Sequence, residues 1–242
     1  MTTPDENSQN SQAASAPQVK AAFFDVDGTL TSEHTWKGIL EYFHQKRLRR
    51  KTHLAYLGIH YPMYYLRRAG LISESAFRAP WAAHLAWYIR GYTESQAQQV
   101  WDWATTEFLS EVWRQDILHI LKEHLAAGDL VMLVSSGPTP LMERIAKELG
   151  VQYAIGTRYI LRDGRYTGGY QKPVCIDQFK ASLPLQYLQA LGVKIDLAGS
   201  AAYADSIADL SLLEMVGNPV SVYPDDQLAA IARQRGWKTI PE

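Results

Sequence analysis

Phe23-Phe24-Asp25-Val26-Asp27-Gly28-Thr29-Leu30 is the stretch that decides the fold. With Ala21 and Ala22 it opens as an apolar run too short for a helix, so it reads as a buried strand. The strand ends in two aspartates one residue apart, followed by glycine and threonine. Carboxylates at the carboxyl edge of a parallel sheet lie where open α/β sheets bind ligands. Two carboxylates this close repel each other unless a cation or a shared proton relieves them. A hard divalent cation would do so, and Mg²⁺ takes one or two carboxylates while leaving room for phosphate and water. The competing reading is a surface turn, since Asp and Gly both favour turns; the apolar strand before it and Thr29-Leu30 after it weigh against that.

The remaining composition narrows the class. The chain has 242 residues, 47% apolar and 20% charged, with a net charge of −1. That suits a globular protein with a sizeable core, in one large domain or two small ones. The charge balance argues against nucleic-acid binding, which needs clustered positive charge. Cys175 is the only cysteine, which excludes an intrachain disulfide and suits a reducing, cytoplasmic setting. It reads as a small buried residue rather than a nucleophile. No stretch approaches the roughly 18 apolar residues of a membrane span. Residues 1–18 are rich in Ser, Gln, Asn, Thr and Ala and are expected to be a disordered tail.

From residue 32 to residue 114 tryptophan and tyrosine become dense while glycine and proline thin out. Apolar residues recur at helical spacing, as in Trp36, Ile39, Leu40 and Phe43, and Thr93-Glu94-Ser95 has the form of a helix start. The block reads as several helices inserted after the first strand. Sheet signals return at Leu130-Val131-Met132-Leu133-Val134, followed by a polar turn through Ser135, Ser136 and Gly137 and a helix from Pro140 to a stop at Gly150. Strand, turn, helix is the unit of a parallel sheet. Asp163-Gly164 marks a hairpin. Further on come a helix containing Lys180, a small-residue approach to Asp205-Ser206, a helix through Leu213, a closing strand Val220–Tyr223 and a last helix from Pro224-Asp225-Asp226. The expectation is an α/β protein: a Rossmann-like three-layer core with a parallel sheet over residues 19–31 and 115–242, and a helical cap over 32–114.

Asp25-Val26-Asp27-Gly28-Thr29-Leu30 resembles the first motif of the haloacid dehalogenase-like superfamily, and the later motifs resemble its phosphoserine-phosphatase-like branch. The resemblance implies that Asp25 is the nucleophile, forming an aspartyl-phosphate, and that Asp27 is the general acid and base. Ser135 matches the hydroxyl that binds the phosphoryl group, with Ser136 and Gly137 in the adjoining turn. Lys180 matches the lysine that holds nucleophile and phosphate. Asp205 matches the acidic Mg²⁺ ligand beside Asp25 and the backbone carbonyl of Asp27, with Asp209 in support. The helical insertion has the position of the cap these phosphatases place over the active site. Two departures stand out. Ala204 replaces the glycine usual before the fourth-motif aspartate. His34 stands where phosphoserine phosphatases carry a substrate-binding glutamate, with Glu33 one residue short.

The resulting expectation is a Mg²⁺-dependent phosphomonoester hydrolase acting on a small phosphorylated metabolite. Rival readings are a phosphotransferase or phosphomutase of the same fold, a dehalogenase, and a non-catalytic binding module; the last is opposed by the retention of Asp25, Lys180 and Asp205. The run Lys46-Arg47-Leu48-Arg49-Arg50-Lys51 reads first as a solvated helix face. Attraction to an anionic substrate or a membrane surface is the less common meaning.

Overall fold

The computed structural model describes residues 18–241, so the expected tail lies almost wholly outside the described residues. Six parallel strands form one sheet: β1 (Ala21–Phe24), β2 (Leu130–Pro138), β3 (Tyr153–Thr157), β6 (Ala201–Ala204), β7 (Asn218–Val222) and β8 (Lys238–Ile240). Their order is β3-β2-β1-β6-β7-β8. The chain winds outward from β1 in one direction through β2 and β3. It then returns and winds in the other direction through β6. The reversal makes the carboxyl end of β1 the switch point of the sheet, where crossovers diverge and leave a crevice.

All four residues of β1 are buried. Their side chains alternate between two cores: Ala22 and Phe24 join one, Ala21 and Phe23 the other. A strand covered on both faces therefore reads as a continuous apolar run rather than an alternating one. Phe24 stacks on Tyr203 of β6 with ring centroids 4.4 Å apart, which locks the neighbours in register. Helices α5 (Gln115–Ala127), α6 (Thr139–Leu149), α7 (Phe179–Ala190), α8 (Leu210–Glu214) and α9 (Asp226–Arg235) belong to the strand connections. Helix α6 ends as its sequence implies, with Gly150 left-handed at φ 70°.

Between β1 and β2 lie α1 (Thr35–Gln45), α2 (Arg50–Arg68), α3 (Glu74–His84) and α4 (Glu94–Trp103), with short 3₁₀ and π segments. Thr93 caps α4 in a reciprocal capping box with Gln96. The interior of this block is aromatic. Tyr56, fully buried, donates to the Trp81 carbonyl at 2.9 Å. His60, equally buried, contacts His84 at 3.2 Å between ring nitrogens. Burial, reinforced by the neighbouring His84, pushes the His60 pKa down to about 4.

Three expectations need correction. The sheet does not close at β7: β8 adds a parallel edge strand. Ser135, Ser136 and Gly137 do not leave the sheet as a plain turn, because β2 runs on to Pro138 and pairs with Thr157 across a register shift. The hairpin of β4 (Tyr159–Arg162) and β5 (Arg165–Tyr170), expected with the core, hydrogen-bonds the helical insertion through Gly91 N–H to the Tyr166 carbonyl at 2.7 Å and Tyr166 N–H to the Tyr92 carbonyl at 2.9 Å.

Candidate active site

Asp25 follows β1 directly, and its N–H donates to the Tyr203 carbonyl at 3.0 Å. Its carboxylate is buried. Lys180 Nζ approaches Asp25 Oδ1 at 2.5 Å and also pairs with Asp209 Oδ1. Lys180 comes from the first turn of α7 and is only 3% exposed, so it is a buried bridging cation and not the near-surface lysine that its isolated place in the sequence suggests. Burial works against its charge, but Asp209 and Asp25 outweigh that and hold the ammonium above its ordinary range.

Asp27 sits opposite. Its Oδ1 accepts the Thr35 N–H at 2.5 Å and its Oδ2 accepts the Thr35 hydroxyl at 3.2 Å. The carboxylate thus lies at the start of α1, where free N–H groups and the helix dipole favour an acceptor. Ser135 Oγ lies 3.5 Å from Asp27 Oδ2 and accepts the Gly137 N–H at 3.0 Å. The Gly137 amide is thereby already engaged. Ser135 is buried, while Ser136 lines the cavity.

Asp205 follows β6, and Asp209 lies in the 3₁₀ turn Ile207–Asp209. The two acids do not share a helix face, because no helix has begun at Asp205. They converge instead because the turn folds back: carboxylate oxygens of Asp25, Asp205 and Asp209 all lie within 4.8 Å of one another. The Thr29 hydroxyl sits between two of them, 3.2 Å from Asp25 Oδ2 and 3.3 Å from Asp205 Oδ1. Gly28 closes the site at φ 90°; a Cβ there would stand 2.1 Å from Asp205 Oδ2. Ala204, the departure from the usual glycine, is buried inside β6 at negative φ and strains nothing.

The donor set fits Mg²⁺. Asp25 and Asp209 pair with the ammonium of Lys180, and Asp205 joins them with Asp27 near by, an excess of negative charge over that one cation. Burial pushes the Asp25 carboxyl well up despite the pull of Lys180, and the surrounding aspartates push it further. Burial, then Asp209, pushes Asp205 up to about 7. A divalent cation bound by hard oxygen donors supplies the charge that would let these groups ionise together.

Above the carboxylates a cavity of about 1210 Å³ opens under the helical insertion. Asp25, Asp27, Lys180 and Asp205 line it from the core, and Trp36, Leu40, Leu57, Tyr61, Phe77 and Trp81 from the helices. His34 lines it too. Glu33 does not turn inward; it pairs with Lys37. Three contributors escaped the sequence reading. Thr35 orients Asp27. Arg78 lines the cavity close enough to Lys180 to be felt electrostatically. Asp225 caps α9 and accepts the Ile207 N–H at 2.9 Å, while its own N–H donates to the Asp205 carbonyl at 2.8 Å. Only Asp225 left a trace in the sequence, as an acid before a helix. Cys175 is buried, which pushes its thiol up to about 12, as a structural cysteine should be.

The chain is 28% identical to a phosphoserine phosphatase of Mycobacterium tuberculosis, over 90% of this chain and 69% of that one. It is 26% identical to a histidinol-phosphatase of Neisseria meningitidis serogroup C, over 90% and 97%. Its fold superposes on a phosphoserine phosphatase solved as a phospho-aspartyl intermediate analogue with a TM-score of 0.60 at 18% identity, covering 93% of this chain and 95% of that one. The family model for haloacid dehalogenase-like hydrolases matches residues 22–214. With most of its length matched, the chain belongs to the haloacid dehalogenase-like hydrolases and is an enzyme of their phosphatase branch.

Proposed function

We propose that the protein is a Mg²⁺-dependent phosphomonoester hydrolase that works through an aspartyl-phosphate. The observation that carries this reading is the bridge from Asp25 through Lys180 to Asp209, with Asp205 and Asp27 beside it, at the switch point of the sheet. Residues from three separate stretches meet there. Asp25 and Asp205, with the Asp27 backbone carbonyl, would hold Mg²⁺, which neutralises phosphoryl charge when bound.

An Asp25 oxygen attacks phosphorus in line, and the bond from phosphorus to the leaving oxygen breaks. Asp27 gives that oxygen its proton. Asp27 then takes a proton from water, whose oxygen attacks the aspartyl-phosphate and returns Asp25 as a carboxylate. Lys180 stays charged throughout and offsets the negative charge shifting between Asp25 and the phosphoryl oxygens. Ser136, which lines the cavity, and Ser135 beside it would supply hydroxyls to the phosphoryl group.

The cavity exceeds what phosphoserine alone fills, its walls are aromatic, and Glu33 is tied to Lys37. These features favour a small phosphorylated metabolite with a planar or apolar body, as in histidinol phosphate, over phosphoserine. We infer a reducing, cytoplasmic setting from the solitary Cys175.

The test compares Asp25→Asn with Asp27→Asn, measuring hydroxylamine-labile phosphate on the protein after mixing with p-nitrophenyl phosphate or an alkyl phosphate. Asp25→Asn should carry none. Asp27→Asn should be labelled by the activated ester far better than by the alkyl one, and should release the label slowly. Label on Asp25→Asn refutes the nucleophile, and equal loss with both esters refutes the acid. A phosphate-release screen with and without Mg²⁺ then ranks the substrates.

A further inference from the structure

Helix α2 presents a surface that the catalytic reading does not use. Between Lys51 and Arg67 it contains no Asp, Glu, Lys or Arg, over roughly 22 Å of helix. Its large side chains on the solvent side are apolar or tyrosine: Leu54, Ile59, Tyr61, Tyr65 and Leu66. Leu54 is 69% exposed and Tyr65 60%. The exposed positions among them are alanine, glycine and proline. An ordinary solvated helix face would carry charges along this stretch, and this one carries none.

Cations bound this face at both ends. Arg50 and Lys51 stand exposed at the start and Arg68 at the finish; no acid lies anywhere in α2. Arg67 is set apart, paired with Glu74. We propose that α2 is an interfacial helix that lies on an anionic lipid bilayer, with Leu54, Tyr65 and Leu66 entering the boundary between headgroups and acyl chains and Arg50, Lys51 and Arg68 reaching the lipid phosphates. An apolar face flanked by basic residues and tyrosines is how a helix settles in that layer. Charge complementarity selects this occupant over a second copy of the chain. Packed antiparallel, two α2 helices would set Arg50 and Lys51 against Arg68; packed parallel, they would set like ends together. Both arrangements place cation on cation. Tyr61 belongs both to this face and to the cavity wall, so the docked helix would hold the cavity mouth at the lipid surface.

The experiment is flotation of the full chain with vesicles of three parts phosphatidylcholine to one part phosphatidylglycerol, and with phosphatidylcholine alone, at low and at physiological salt. The wild type should float with the anionic vesicles and at least tenfold less with the neutral ones. Leu54→Glu/Leu66→Glu should lose flotation, and Arg50→Gln/Lys51→Gln should weaken it by roughly fivefold for each cation removed. Turnover of p-nitrophenyl phosphate and the circular dichroism spectrum, compared with wild type, establish that each variant is folded. These outcomes do not depend on the catalytic mechanism: a protein with no phosphatase activity could still float. Wild type that stays with the solvent at low salt overturns the proposal. So does undiminished flotation of folded Leu54→Glu/Leu66→Glu. A dimer in sedimentation equilibrium that Leu54→Glu/Leu66→Glu splits also overturns it, since the face is then an interface between copies.

Discussion

Gly28 occupies a place where no side chain can stand. Its φ of 90° is left-handed, and a Cβ would collide with Asp205 Oδ2. Gly28→Ala should therefore push Asp205 out of the carboxylate cluster. The expected outcome is loss of the rise in melting temperature that Mg²⁺ gives wild type, with phosphatase activity reduced at least about a hundredfold; thermal unfolding with and without Mg²⁺ checks it. Lys180 makes a second residue-scale case. Removing it leaves Asp25 and Asp209 facing each other in the interior, and breaking a buried ion pair on one side costs about 3–5 kcal/mol. Lys180→Ala should lower both stability, by urea unfolding, and kcat, by about a hundredfold or more. Mg²⁺ should recover part of the stability and little of the rate. A variant as stable and active as wild type would mean that the bridge does neither job.

At the scale of elements, the helix starts deserve the weight that sequence motifs usually receive. The first turn of α1 fixes Asp27 through both the N–H and the hydroxyl of Thr35. Thr35→Val keeps the backbone contact and removes the other. It should slow turnover of alkyl phosphates about tenfold and of p-nitrophenyl phosphate less, because only the former need a well-placed proton; paired kcat measurements on the two esters read the difference. Nothing in the sequence marks Thr35, since its role depends on where the start of α1 meets the Asp27 carboxylate. Asp25, Asp27 and Lys180 were legible because the first motif is an apolar strand ending in acids and the others follow in order. The edge strand β8 was not: Lys238–Ile240 is short, partly exposed and indistinguishable from a helix tail. Asp205 and Asp209 were legible as residues but not as geometry, because a 3₁₀ turn and an α-helix start look alike in sequence. The aromatic block announced helices, yet not that α2 would leave its apolar residues outside.

Across the whole molecule, the buried His60 ties the stability of the helical insertion to pH. Its folded pKa lies below its unfolded value. The unfolded chain therefore takes up a proton that the folded chain refuses, and stability should fall as pH drops through about 6.5 towards 4. His60→Phe keeps an aromatic ring against Tyr56 and Trp81 and should flatten that part of the profile; melting temperatures of both proteins from pH 8 to pH 4 measure it. Metal should act in the same observable from the other wall of the cavity that Trp81 lines. Mg²⁺ should raise the melting temperature at neutral pH and lose that effect in acid, where its carboxylate ligands are protonated, and excess chelator should abolish activity. Ca²⁺, with its looser coordination, should bind and inhibit.

The sheet order carries a kinetic meaning as well. Strand β1 precedes its two neighbours in the sheet, β2 and β6, by the whole helical insertion and, for β6, by β2 and β3 as well. Lys180 closes on Asp25 across 155 residues of sequence. Long loops must form before such contacts return any free energy, which slows folding. A nascent chain therefore carries Ala21–Phe24 as an unpaired apolar segment until β2 is made, about a hundred residues later. The same delay keeps the acidic cluster unassembled: catalytic competence should appear in the last refolding phase, after the signal of the inserted helices has returned. Stopped-flow circular dichroism followed beside the recovery of phosphate release would separate the two events.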